Sequence, residues 1–310
     1  MKPFGIMLHH FYDENIHLKG QGAISKDEFN KLLDFIEKKH NIIPAKDWTQ
    51  KAIENSLKQN EVCLTFDDGL RCQYDIAMPV LEQRNLTAFW FVYSSVFYGE
   101  IGKLELYRYF RTAYFNNVEE FYIKFEKKLL ESNDATIIQQ NLQNFDPKKY
   151  LIEHTIYSDS DRRFRFLRDK VLGPKHYEFI MDMMIMDSDI DKNQIQSLLW
   201  MDNDCLRMLD SLGHIVGLHS YTHPTDLKNF PEKVQLDEYK KNFNHLNQVL
   251  GSKPKTMSHP CNSYNNKTLK ILTKLGVKIG FRSNINQNDF SSLEFPREDH
   301  STIMKEVIKN

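Results

Sequence analysis

The chain has 310 residues, a formal net charge of −1 and 41% hydrophobic residues, with only 12 glycines and 10 prolines. That length allows one large α/β domain or two modest ones, and the near-zero charge excludes an overall basic field that would hold nucleic acid or an acidic membrane. Cys63, Cys72, Cys205 and Cys261 are scattered without Cys-x-x-Cys spacing, which fits free thiols in a reducing compartment. Met1 to His10 is too short and polar for a signal peptide, and no apolar run approaches the roughly 18 residues of a membrane span, so a cytoplasmic protein is expected.

In chain order, Phe4 to Leu8 predicts a first strand ending in His9-His10. Ser25-x-x-Glu28 is a capping box, and Phe29, Leu32, Leu33 and Ile36 then form one helical face. Val62 to Phe66 is a short apolar run that predicts a buried strand, followed at once by Asp67, Asp68 and a turn-permitting Gly69. A helix is predicted from about Tyr74 to Arg84, and a third strand from Thr87 to Tyr93. From about Phe97 to Trp200 no strand signal occurs, while Asn117-x-x-Glu120, Asp146-Pro147 and Gly173-Pro174 punctuate helical pieces. Residues 100–200 therefore read as a helical insertion within a single domain spanning 1–310. Strand signals resume at His214 to His219, Lys255 to Ser258, Val277 to Phe281 and Leu293 to Phe295, with a helix over Glu232 to Leu250. Strands alternating with helices predict a parallel sheet or barrel. In parallel barrels the chemistry sits at the carboxyl ends of the strands. His9, His10, Asp67, Asp68, His219, His259 and Arg297 all fall at or just past the proposed strand ends.

Two adjacent carboxylates at a strand end diverge, so one can hold a metal while the other handles a proton. By itself Asp-Asp-Gly is also an ordinary turn. His219-Ser-Tyr-Thr-His223 places two imidazoles four apart, a spacing suited to one metal, although twelve histidines make a chance pair common. Asp68 with the two histidines would form a facial set of one carboxylate and two imidazoles with open positions. Arg162, Arg163, Arg165 and Arg168 interleave with Phe164 and Phe166, either as a phosphate grip or as a solvated helix face.

Thr-Phe-Asp-Asp-Gly (65–69) together with His-Ser-Tyr-Thr-His (219–223) resembles the polysaccharide deacetylase family, the NodB-homology or carbohydrate esterase 4 enzymes. The resemblance covers roughly residues 1–98 and 201–310 and implies a distorted (β/α)7 barrel. It implies that Asp67 is the catalytic base and that Asp68, His219 and His223 bind a divalent metal, usually zinc. The family's Arg-x-Pro-Tyr motif is replaced here by Ser258-His259-Pro260-Cys261. The oxyanion donor would then be the Cys261 N–H, and Arg297 would stand in for the missing arginine. No late Leu-x-His follows residue 223, but Leu8-His9-His10 is similar to the N-terminally permuted arrangement of poly-N-acetylglucosamine deacetylase-like members. That makes His10 the expected general acid, supported by Asp299, with His259 in reserve. The activity implied is removal of an acetyl group from an N-acetylated sugar. The expected cytoplasmic location, and not the resemblance, suggests a nucleotide- or lipid-linked precursor in surface-polysaccharide assembly as the substrate. Deformylation at the same site, or glycan binding without turnover, are the other readings.

Overall fold

The computed structural model describes residues 3–132, 135–152, 157–188, 190–285 and 290–309. The chain divides into two compact units, residues 1–102 with 193–310, and residues 103–192.

The first unit is a parallel sheet wrapped by helices. Its elements are β1 (Phe4–Leu8), α1 (Lys26–Glu37), β2 (Asn41–Ile42), α2 (Ala45–Ile53), β3 (Glu61–Asp67), α3 (Met78–Gln83) and β4 (Phe89–Val92). Helices α4 to α8 belong to the second unit. The first then resumes with α9 (Lys192–Leu199), α10 (Asn203–Ser211), β5 (Ile215–Leu218), α11 (Glu232–Leu250), β6 (Thr256–Ser258), α12 (Asn266–Leu275), β7 (Ile279–Phe281), β8 (Arg297–Asp299) and α13 (His300–Lys309). Strand order is β7-β6-β5-β4-β3-β1-β8, every pair parallel, with β2 on β3. Phe295 bridges Phe281 in parallel and so brings the chain entering β8 back towards β7. The result is a nearly closed seven-stranded barrel, the distorted (β/α)7 architecture expected.

The period of two along each strand sorts residues between two cores. Val62, Leu64 and Phe66 of β3, Ile6 and Leu8 of β1, and Trp90 and Val92 of β4 pack under the helices. Cys63, Phe89, Phe91, Ile279 and Phe281 face the other way and fill the barrel together with Trp48 and Phe295. Thr65 and Asp67 share the parity of Cys63, so the base expected from the sequence points into the lumen. Gly5 shares it on β1: a Cβ there would stand 3.2 Å from both Arg297 Cγ and Thr65 Cγ2. Glycine at this position leaves the room that a buried arginine side chain needs.

Three boundaries differ from expectation. The apolar pair Leu293 and Phe295 is buried but forms only a bridge; Pro296 lacks an N–H for the ladder, and the strand begins after it at Arg297. Arg297 therefore opens a strand rather than following one. The helix expected from Tyr74 is a π-turn over Gln73–Ala77 before α3, because Pro79 cannot donate to the preceding turn. The two-residue β2 is too short to leave a periodic signal.

The second unit contains α4 (Lys103–Ala113), α5 (Val118–Leu130), α6 (Ala135–Gln143), α7 (Asp159–Phe166) and α8 (Gly173–Met186), and no strand among the described residues. Leu106, Tyr107, Phe110, Phe121, Phe125, Leu129, Phe164 and Ile180 are among its buried apolar side chains. Of the aromatics between 107 and 115, Tyr107, Phe110 and Phe115 are buried in this packing, while Tyr114 is exposed. The arginine run is committed to carboxylates: Arg163 forks onto Glu126 at 2.7 and 2.6 Å, Arg165 reaches Asp161 at 2.9 Å, and Arg168 reaches Asp169 at 2.5 Å. With these charges already paired, the phosphate-grip reading loses its ligand.

Candidate active site

Asp67 is the last residue of β3, and Asp68 follows in the left-handed region at φ 78°. His219 follows β5, His9 follows β1, and Cys261 lies in the turn after β6. All of these are carboxyl-end positions, where parallel barrels assemble their chemistry. Five of the eight non-glycine residues with positive φ among the described residues, Asp68, Ser220, His223, Cys261 and Asn262, sit in these turns. Such strain persists where the surroundings over-determine the backbone.

They do so here. Glu238 of α11 accepts from Tyr221 N at 3.0 Å, Thr222 N at 2.8 Å and Thr222 Oγ1 at 2.8 Å. Ser94 N and Ser95 N donate to Tyr221 O, and Asn242 Oδ1 accepts from His219 N at 2.9 Å. The turn carrying both imidazoles is therefore clamped from α11 and from the loop after β4. Gln73 Nε2 donates to His9 O at 2.8 Å and to Asp67 O at 2.6 Å, which pins the ends of β1 and β3 together.

The two carboxylates face different partners. Asp67 Oδ1 and Oδ2 accept from Arg297 Nη1 at 2.7 Å and Nη2 at 2.6 Å, and Ser258 Oγ lies 3.1 Å from Oδ2. Arg297 also donates to Ser258 Oγ, Thr65 Oγ1 and Arg282 O. Both side chains are almost fully buried. Burial alone would raise the Asp67 pKa, but Arg297 and His219 outweigh it and hold the carboxyl below its ordinary range.

Asp68 turns to the imidazoles. His219 Nε2 and His223 Nε2 each lie 3.3 Å from Asp68 Oδ1, which is buried without a hydrogen bond. Ligand atoms of Asp68, His219 and His223 all lie within 4.8 Å of one another. His219 Nδ1 lies 2.8 Å from Ser258 O and donates to it in the tautomer that leaves Nε2 free towards Asp68. Two donors at about 2.1 Å from one ion and near the tetrahedral angle stand roughly 3.4 Å apart, so a 3.3 Å separation and an orphaned carboxylate oxygen fit a divalent ion. Burial opposes ionisation of Asp68 as well, yet His223, His219 and His9 hold its carboxyl well below the usual range.

His9 rather than His10 stands beside the carboxylates. Its Nε2 lies 3.9 Å from Asp67 Oδ2, and its ring stacks on that of His10 at 6.1 Å. Burial lowers the His9 pKa against the pull of Asp68 and Asp67. Strand alternation carried this signal: His9 shares the inward parity of Gly5, whereas His10 shares that of Leu8. Asp299, expected to support His10, instead lies 3.7 Å from His300 Nδ1 and interacts electrostatically with His9. His259 is a packing residue: Nε2 bonds Leu293 O at 2.9 Å, the ring stacks on Tyr264 at 3.9 Å, and burial lowers its pKa to about 4. Cys261 is exposed on its turn, yet its crowded setting and the charges of Asp68 and Asp67 push the thiol up to about 12. Gln73, Asn242 and Glu238 were not anticipated from the sequence, because they act through backbone groups brought close only by folding.

A sequence profile described as Polysaccharide deacetylase matches residues 178–280. No curated protein matches. Among solved structures, the deacetylase PplD of Streptococcus pyogenes aligns with a TM-score of 0.56 at 15% identity, covering 96% of this chain and 92% of its own. IcaB of Ammonifex degensii aligns with a TM-score of 0.55 at 13% identity, covering 99% and 97%. The BpsB deacetylase domain of Bordetella bronchiseptica aligns with a TM-score of 0.54 at 14% identity, covering 96% and 95%. At these identities the likeness is one of fold, and the sequence likeness is confined to the matched segment, which includes His219 and His223. Over that matched segment the chain is similar to the polysaccharide deacetylase family, and its fold is that of solved deacetylases.

Proposed function

We propose that this protein is a metal-dependent amidohydrolase that removes the acetyl group from an N-acetylated sugar of a polysaccharide or its precursor. The observation that carries this reading is the division of labour between neighbouring carboxylates: Asp67 is locked on Arg297, and Asp68 is turned onto two imidazoles. A divalent ion held by Asp68, His219 and His223, with zinc favoured by the mixed nitrogen and oxygen donors, supplies Lewis acidity at the acetyl carbonyl and lowers the pKa of a water.

Asp67 is ionised and accepts the proton of the attacking water at its carboxylate. Arg297 and Ser258 hold that carboxylate in one orientation, so only the proton moves. The Cys261 N–H stabilises the oxyanion, a role that needs no particular side chain. His9 protonates the departing amine and is the assigned general acid. Acetate release from an N-acetylated oligosaccharide by zinc-loaded protein, lowered about a hundredfold or more in Asp67→Asn, is the direct test. A protein that binds the metal and the sugar yet releases no acetate would be a glycan-binding protein instead.

A further inference from the structure

The helical unit holds a cleft of about 490 Å³, between the end of α6, the turn after it and α7. Phe145 and Phe166 stack there with ring centroids 4.3 Å apart and planes 21° apart. Tyr150 meets both edge-on, at 5.9 and 5.8 Å. A ring cluster of this kind is ordinarily closed over, as the Phe121, Phe125 and Phe164 cluster of the same unit is. Phe145, Tyr150 and Phe166 are only half-buried, and the cleft they line is rimmed by the exposed Gln140, Asn144 and Asp146.

That combination selects a ligand class. A few hundred cubic ångströms walled by rings with a small set of polar groups is the usual make-up of a small-molecule site. Amide side chains offer both donors and acceptors, the complement of vicinal hydroxyls and acetamido groups. Aromatic faces carry negative charge density and attract the weakly positive C–H face of a pyranose. Among the described lining residues Lys149 is the one cation, and it lies 3.6 Å from Asp146, a charge balance that favours a neutral ligand over a phosphate.

We propose that this cleft is a saccharide-binding subsite for a neutral, N-acetylated oligosaccharide, separate from the residues that carry the chemistry. The choice of sugar rests on the deacetylase reading; the cleft itself does not.

The test uses full-length protein carrying Asp67→Asn, so that the probe is not consumed, and a tetramer of N-acetylglucosamine as ligand, followed by calorimetry and by amide chemical shifts. Binding should shift amides of residues 140–150 and 166. Tyr150→Ala should weaken it by roughly tenfold, the scale of one lost aromatic contact. Asn144→Ala, an exposed change that leaves the fold alone, should weaken it severalfold with an unaltered melting temperature. Deacetylation of a short substrate by the otherwise wild-type chain should be unchanged by Asn144→Ala. Tetramer binding that is absent, or that ignores both substitutions, overturns the subsite even if acetate release is intact. Conversely, cleft-dependent binding with no acetate release would overturn the deacetylase reading and leave the subsite standing.

Discussion

Arg297→Gln offers the most discriminating perturbation of the site. Arg297 is almost completely buried and forks onto both Asp67 oxygens at 2.7 and 2.6 Å. Its loss leaves a buried carboxylate without its countercharge, which costs about 3–5 kcal/mol. The pH dependence should weaken as well. In the parent the Asp67 pKa is depressed, so its contribution to stability is present above the unfolded carboxyl value near 3.8 and is lost as pH falls through the folded value. In the variant only His219 and His9 still oppose burial, so the folded pKa rises towards the unfolded one and the loss of stability on acidification shrinks. Urea midpoints followed on acidification from pH 8 report both effects. Asp67→Asn/Arg297→Gln, which removes the charge pair together, should recover most of the loss; the double-mutant cycle then isolates the coupling. A single variant with parental midpoints and slope, or a double variant no more stable than Arg297→Gln, would refute the role given to this pair.

His219→Ala and His223→Ala should each sharply weaken zinc binding, read as metal content after dialysis, while Asp67→Asn keeps its metal. Asp67→Asn should lower turnover by about a hundredfold or more, the scale of general-base catalysis; near-parental acetate release would contradict the assignment. His9→Ala should remove the alkaline limb of the pH–rate profile and His10→Ala should leave it; the reverse result would restore His10 as the acid. His214 is buried, its Nδ1 accepts from Ala88 N at 3.0 Å, and burial lowers its pKa to about 4. Its neutral form therefore contributes stability that is full above the unfolded value near 6.5 and is lost as pH falls towards 4, by about 3 kcal/mol at the pKa difference involved. Melting temperatures of His214→Gln should fall less steeply over that window, and an unchanged acid slope would contradict it.

The sequence alone determined the parts of this protein that are written locally. Strand apolarity at 62–66, the Ser25 capping box and the two short motifs depend on neighbouring residues, and each appears in the structure where periodicity and spacing put it. Tertiary structure decided which distant groups meet. Arg297 joins Asp67 because β8 lies beside β1 and Gly5 leaves space for the guanidinium stem, facts of strand order that no spacing encodes. His9 comes within 3.9 Å of Asp67 because strand parity, continued past the last ladder residue, gives it the inward parity of Gly5. Leu293 and Phe295 looked like a strand because burial and ladder pairing leave the same apolar mark, and only Pro296, which cannot donate, tells them apart. Gln73, Glu238 and Asn242 were invisible beforehand because a side chain that bonds to backbone groups far along the chain has no signature except the fold that brings them together.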